Sequence, residues 1–349
     1  MKGRVVILDE IDGRGAAALV VDGHLQDLLI DPPGDAVLPG AIFRAVAERP
    51  VKGLGGHFVT LPGGEKGFLR QIEGIAPGRP LLVQVTGPAE DGKAIPVTSR
   101  LLFKSRFAIV TPGAPGLNVS RQIRDEETRA ALAALAAAGM AGADESLGLI
   151  LRSACAWSKP EPVAEDIAAM RELAEAVLAD AEGGPELLVD GAGAQDVAFR
   201  DWLEPEPDAM ETDAGAFDTH GVTEMIDALR RARVLLPGGA SMTVEPTRAL
   251  VAVDVDTGAD TSPAAGLKAN IAAARDLPRQ LRLRGLGGQV VVDFAPMPKR
   301  DRQVLDQAFR AAVKGEAAET HLAGFTALGL YELVRRRDRL PLADLLPQG

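Results

Sequence analysis

Two apolar runs in the last third of the chain end in aspartate: "ALVAVDVDTG" at 249–258 and "GGQVVVDF" at 287–294. A strand places alternate side chains on opposite faces. Leu250, Ala252, Asp254 and Asp256 therefore share one side, and Val251, Val253 and Val255 the other. The second run likewise closes on Asp293 after three valines. In open α/β sheets the carboxyl ends of strands are where ligands bind. If the two strands are neighbours, two or three carboxylates converge on one point. Bare carboxylates so placed repel and titrate upward unless a cation sits among them. Mg²⁺ suits one or two carboxylates completed by water and phosphate oxygens, and there it can activate a water. The plainer reading is that strand-end aspartates cap turns or helices. An Asp-x-Asp pair also occurs in aspartyl-phosphate phosphatases, but Gly258 stands where they carry threonine or valine, and the motif lies far from the N-terminus.

At 349 residues the chain exceeds one small core, and multiple domains are expected. Aromatic residues make up only 4%, so alanine, valine and leucine must supply most of the packing. The single cysteine, Cys155, rules out an internal disulfide or a multi-cysteine metal site and fits a reducing compartment. The opening "MKGRVVILDEIDGRG" is broken by Asp9 and Glu10 too early for a signal-peptide core, and no stretch approaches membrane-span length. The expectation is a soluble cytoplasmic protein. The net charge of −11 is unevenly spread. Residues 161–218 hold 17 Asp/Glu against only Arg171 and Arg200, which leaves the rest net positive and compatible with a nucleic-acid partner.

Segments 4–8 and 18–30 read as strands around an Asp-Gly turn. From 41 to 110 short apolar runs broken by Gly and Pro predict a small β-barrel or sandwich. "RDEETRAALAALAAAGM" and "EDIAAMRELAEAVLADAE" read as helices, and about 200–218 as the weakest-structured loop. The long helix "AAGLKANIAAARDLPRQLRLRG" is expected to bend at Pro278.

The stretches "FDTHGVTEMIDALRRARVLLPGGASMTVEPTRALVAVDVDTG", "LKANIAAARDLPRQLRLRGLGGQVVVDF" and "LGLYELVRRR", in this order, resemble the ribonuclease E/G family of bacterial endoribonucleases. "GFL", "KAIPVTSRLLF", "GLNVSRQIRDEE" and "GLILRSA" match more faintly. The resemblance implies a metal-dependent endoribonuclease that hydrolyses single-stranded RNA, with Mg²⁺ held by Asp254 and Asp293 and supported by Asp256, where the family usually has asparagine. The implied fold class is multidomain α/β. An RNase H-like domain (1–36 and 187–245) is interrupted by an OB-fold (37–108) and a 5′-end sensor region (109–186), and a DNase I-like catalytic domain (246–349) follows. Phe58 and Phe68 match aromatic positions that stack on bases, with barrel core as the alternative. Arg152 and Ser153 fall where the family holds a 5′-monophosphate. Lys93 and Arg121 are candidates for RNA-backbone contact against a default of solvated surface. Arg279, Arg282 and Arg284 would either hold the backbone or pair with the acidic segment.

The sequence departs from the family pattern at Pro296, where a second aspartate is usual, and at Ala272, where an acidic residue is usual. The family's Cys-Pro-x-Cys zinc link has no counterpart, so no zinc-linked dimer is expected. These departures motivate an alternative: a catalytically weak or inactive RNA-binding protein of the same fold.

Overall fold

The computed structural model describes residues 2–51, 53, 55–70, 75–89 and 92–347. It divides into two compact units, one formed by Met1–Pro33 with Ala209–Gly349 and the other by Gly34–Asp208. No helix among the described residues is long and apolar enough to cross a membrane.

The first unit begins with an antiparallel meander of Arg4–Ile11, Arg14–Val21 and His24–Ile30. Both of its turns are Asp-Gly, at 12–13 and 22–23, with all four residues at positive φ. That is the turn whose twist matches the flanking strands, and it explains why the ladder runs longer than the apolar residues alone suggest. Ala209–Glu211 adds a parallel strand beside Arg4–Ile11. The segment read as loop is thus held in place. Asp9 accepts hydrogen bonds from the Gly215 and Phe217 amides, at 3.3 and 2.8 Å, and Phe217 is buried.

The same unit contains a six-stranded sheet ordered Arg233–Leu235, Ser241–Pro246, Val251–Asp256, Gly288–Asp293, Tyr331–Arg335 and Thr320–Phe325. Val251–Asp256 and Gly288–Asp293 run parallel, joined through the helix Ala265–Leu283. One face buries Met242, Val244, Val251, Val253, Val255, Val290 and Val292 in a core shared with Ala269, Ala273, Leu277, Leu305 and Phe309. Small alanines let the 265–283 helix lie close to the valines, and it continues as one helix through buried Pro278. The alternate residues, Asp254, Gln289, Asp293 and Glu332 among them, are exposed on the opposite face.

The second unit holds a closed barrel of Ile42–Val51, Gly56–Thr60, Lys66–Arg70, Ile95–Thr98 and Pro80–Val85 in that order, sealed by pairing of the last with the first. Five strands closed in this order form an OB-like barrel, as the short apolar runs predict. Its interior is lined by Phe43, Ala45, Val59, Leu69, Val83, Val85 and Val97. A four-stranded sheet, ordered Gly116–Val119, Leu147–Leu151, Ala108–Pro112 and Phe103–Lys104, shares a second core with the helices Glu126–Gly139 and Pro160–Ala179. Asp125 caps the first of these helices through the Thr128 amide at 2.8 Å, and Glu126 and Glu127 add favourable charge to its first turn.

A buried ion cluster ties the meander of the first unit to the chain's C-terminal part. Asp27 is 9% exposed and accepts both Nη atoms of Arg339, while Arg282 Nε lies 3.7 Å away. Arg282 also pairs with Glu316 and donates to the Gln26 carbonyl at 2.8 Å. Replacing Asp27 would remove the carboxylate that both Nη atoms of part-buried Arg339 bind, and a buried charge left without its partner costs more than the pair contributes. Asp27→Ala is expected to lower stability by about 3 kcal/mol in urea unfolding. A loss under about 0.5 kcal/mol, the ordinary effect of a surface change, would contradict this reading.

Candidate active site

The valine alternation sets the site. Because Val253 and Val292 face the core in register, Asp254 and Asp293 fall directly opposite one another at the carboxyl ends of the two parallel strands. Both are exposed, and neither has a hydrogen-bond or ion-pair partner among the described residues. Asp256 lies two residues further on, in register with Ser241. One of its oxygens accepts the Gly258 amide at 2.7 Å, which forms the turn that ends the strand. Gly258 adopts φ +64°, and a Cβ there would come within 2.2 Å of the Gly239 carbonyl oxygen. The Pro-Gly-Gly turn at 237–239 therefore packs directly on the aspartate turn, and only glycine fits at 258.

Asp293 is locked on its C-terminal side. Phe294 sits among Tyr331, Phe309 and Phe325, with ring centroids at 5.8, 6.4 and 6.3 Å. Tyr331 donates to Asp306 at 2.7 Å. Ala295 is held by a reciprocal pair with Asn270, whose Nδ2 donates to the Ala295 carbonyl and whose Oδ1 accepts the Ala295 amide, both at 2.9 Å. Asn270 is fully buried on the 265–283 helix. One turn earlier, Gly266 lies so close to the Pro296 carbonyl that a Cβ would meet its oxygen at 2.2 Å. Sequence reasoning did not single out Asn270. Its one signal is a polar side chain on an otherwise alanine-lined helical face.

Among the described residues no three His, Cys, Asp or Glu side chains gather into a protein-only metal cage. Two carboxylates on a solvent-facing sheet end still fit Mg²⁺, which keeps several waters and takes one or two protein carboxylates plus substrate phosphates. Asp254 and Asp293 could hold the ion, with Asp256 at the margin.

The arginines of the basic helix are bound within the protein. Arg279 donates to the Leu25 carbonyl at 2.7 Å and to Asp276, Arg282 is bound to Asp27 and Glu316, and Arg284 is 7% exposed and donates to the Arg231 carbonyl at 3.1 Å. Burial pushes the Arg284 guanidinium down to about 10. These arginines are engaged with the protein, and their partners lie outside the acidic 161–218 segment. Leu25, Gln26 and Asp27 become partners only because the fold brings the meander to this helix.

In the second unit Phe58 and Phe68 are directly opposed on neighbouring strands, their rings edge to face at 5.4 Å. His57, Val59 and Leu69 point into the barrel, so the two phenylalanines lie half-buried on its outer surface and outside its core. Lys93 and Arg121 are both exposed. Arg152 is heavily engaged: Nη1 donates to the Ser105 and Arg200 carbonyls at 2.6 and 3.2 Å, and Nη2 to Asp201 at 2.6 Å. Asp201 also meets Lys104 and Arg200. Burial works to raise the Asp201 carboxyl, but the Arg200 hydrogen bonds and the Lys104 charge outweigh it and bring it to about 2. Ser153, half-buried, opens the 3₁₀ turn after Arg152.

The sequence model of the Ribonuclease E/G family matches residues 103–215 and 207–338. A ribonuclease E from a Nostoc species is 28% identical over 388 residues, covering 94% of this chain and 55% of its own length. A ribonuclease G from Salmonella typhimurium is 26% identical over 394 residues, with 94% and 79% covered. A ribonuclease E from Escherichia coli is 26% identical over 379 residues, with 92% and 35% covered. The chain thus spans a little over half the length of the Nostoc protein.

The Asn270 clamp gives a direct test. Asn270→Ala leaves a buried amide and a buried carbonyl of Ala295 unpaired, so a loss of about 2–4 kcal/mol in urea unfolding is expected, with faster hydrogen exchange at the Ala295 amide. Unchanged exchange there would show that the clamp does not hold the segment.

Proposed function

The chain belongs to the ribonuclease E/G family, and from that premise we propose that it is an endoribonuclease that hydrolyses phosphodiester bonds of single-stranded RNA with Mg²⁺ at Asp254 and Asp293. The observation that carries this reading is the register of the two aspartates, side by side at the carboxyl ends of parallel strands with neither carboxylate paired among the described residues. When bound, the ion supplies charge neutralisation and an acidified water. Asp254 and Asp293 would provide the carboxylates that hold it, and the open face would leave room for water and phosphate. Asp256 shapes the adjoining turn through Gly258. Phe58 and Phe68, on the outside of the barrel, offer unpaired bases a stacking surface worth roughly 1–3 kcal/mol per base. Family membership also supports assigning 246–349 to a DNase I-like catalytic domain and the barrel to an OB-fold.

The alternative of an RNA-binding protein without cleavage draws on Pro296, which replaces a customary aspartate beside the site. One assay separates the two readings: a fluorescent 5′-monophosphorylated single-stranded RNA incubated with Mg²⁺ and either the parent or Asp293→Asn. The proposal expects cleavage by the parent and a fall of roughly two orders of magnitude or more in the variant. Binding by both with cleavage by neither would leave the binder reading in its place.

A further inference from the structure

We propose that Arg233 and Thr243 form a phosphate-binding subsite beside the aspartate pair, for the backbone of an RNA strand that crosses the open face of the six-stranded sheet. The inference rests on the nuclease reading and deepens it. Four strands place four residues on one row: Arg233 is in register with Thr243, Thr243 with Asp254, and Asp254 with Asp293. All four share a face. Val234 packs against the core while Arg233 is exposed, and Thr243 stands between core-facing Met242 and Val244. The row thus runs guanidinium, hydroxyl, carboxylate, carboxylate.

The charges on this face make Arg233 unusual. Lysine and arginine occur in the six strands only at Arg233 and Arg335, and Arg335 is 2% exposed on the core side. The open face otherwise presents Glu245, Asp254, Asp256, Asp293 and Glu332. A polyanion can approach such a surface only where cations receive it. An ion at Asp254 and Asp293 neutralises one phosphate, and the fork of Arg233 suits a second by bidentate hydrogen bonding. Arg233 has no hydrogen-bond or ion-pair partner among the described residues, so its donors are unspent, unlike those of Arg279, Arg282 and Arg284. Two strand intervals separate its backbone from that of Asp254 by about 10 Å, a gap that a long guanidinium side chain on one side and a phosphodiester on the other can bridge. The Thr243 hydroxyl lies between them as a donor to the same backbone. The strand is therefore expected to run across the sheet rather than along it.

The test uses the full chain with Mg²⁺ and a fluorescent single-stranded RNA cut at one bond, with steady-state kinetics at several salt concentrations. Arg233→Ala should raise KM about tenfold with a smaller change in kcat, the loss expected for one charge-assisted contact. It should also reduce the dependence of log KM on log salt by about 0.7, one phosphate's worth on a single strand. Arg233→Lys, which keeps the charge, should recover part of the loss. A neutral methylphosphonate placed at successive positions near the cut should weaken the parent at one of them and leave Arg233→Ala indifferent there. Unchanged KM and salt slope in Arg233→Ala, or a methylphosphonate penalty equal in parent and variant at every position, would overturn the subsite while leaving the nuclease intact. A parent that cuts nothing would instead remove the nuclease reading, and the subsite with it.

Discussion

The proposed catalytic site depends on one parallel pairing. Val251–Asp256 and Gly288–Asp293 lie side by side with Val253 opposite Val292 and Asp254 opposite Asp293. A slip of one residue would turn the valines to solvent and the aspartates into the core, so the hydrophobic pattern that builds the sheet also fixes the position of the chemistry. The same valines draw the alanine-lined helix onto one face, and that helix delivers Asn270 to the segment following Asp293. Core packing and carboxylate placement are thus consequences of a single register.

The site is held from both sides but is open in front. Behind it, Phe294 in its aromatic cluster and Ala295 on Asn270 fix the loop after the second strand. Beside it, Gly258 against Gly239 fixes the turn after the first. In front, the carboxylates are exposed and have no partner among the described residues. Such an arrangement holds two charges close together at little conformational cost and leaves them available to a cation and its ligands.

Much of this was legible in the sequence because it is local or periodic. The alternation around Asp254 and Asp293, the Asp-Gly turn at 22–23, the broken runs of the barrel and the capped helix after Asp125 each show in a few consecutive residues. What stayed hidden depends on partners far away in the chain. Arg279 and Arg282 read as candidates for an RNA backbone, yet they bind Leu25, Gln26 and Asp27, more than 250 positions earlier. Arg152 showed no sign in sequence of its tie to Asp201, and the loop before Phe217 gave no hint that Asp9 would anchor it. The role of Asn270 stayed hidden for the same reason: its two bonds go to a residue 25 positions on. Motif reading finds where charges sit, and only the fold shows which of them are already spent.

The most direct measurement is the binding of Mn²⁺, a paramagnetic stand-in for Mg²⁺, to the RNA-free protein by electron paramagnetic resonance, with the parent beside Asp254→Asn and Asp293→Asn. The account predicts a site in the parent that either substitution weakens at least tenfold, with both variants still folded. Equal Mn²⁺ binding by all three proteins would mean that the aligned aspartates do not hold the metal, and the central claim would fall.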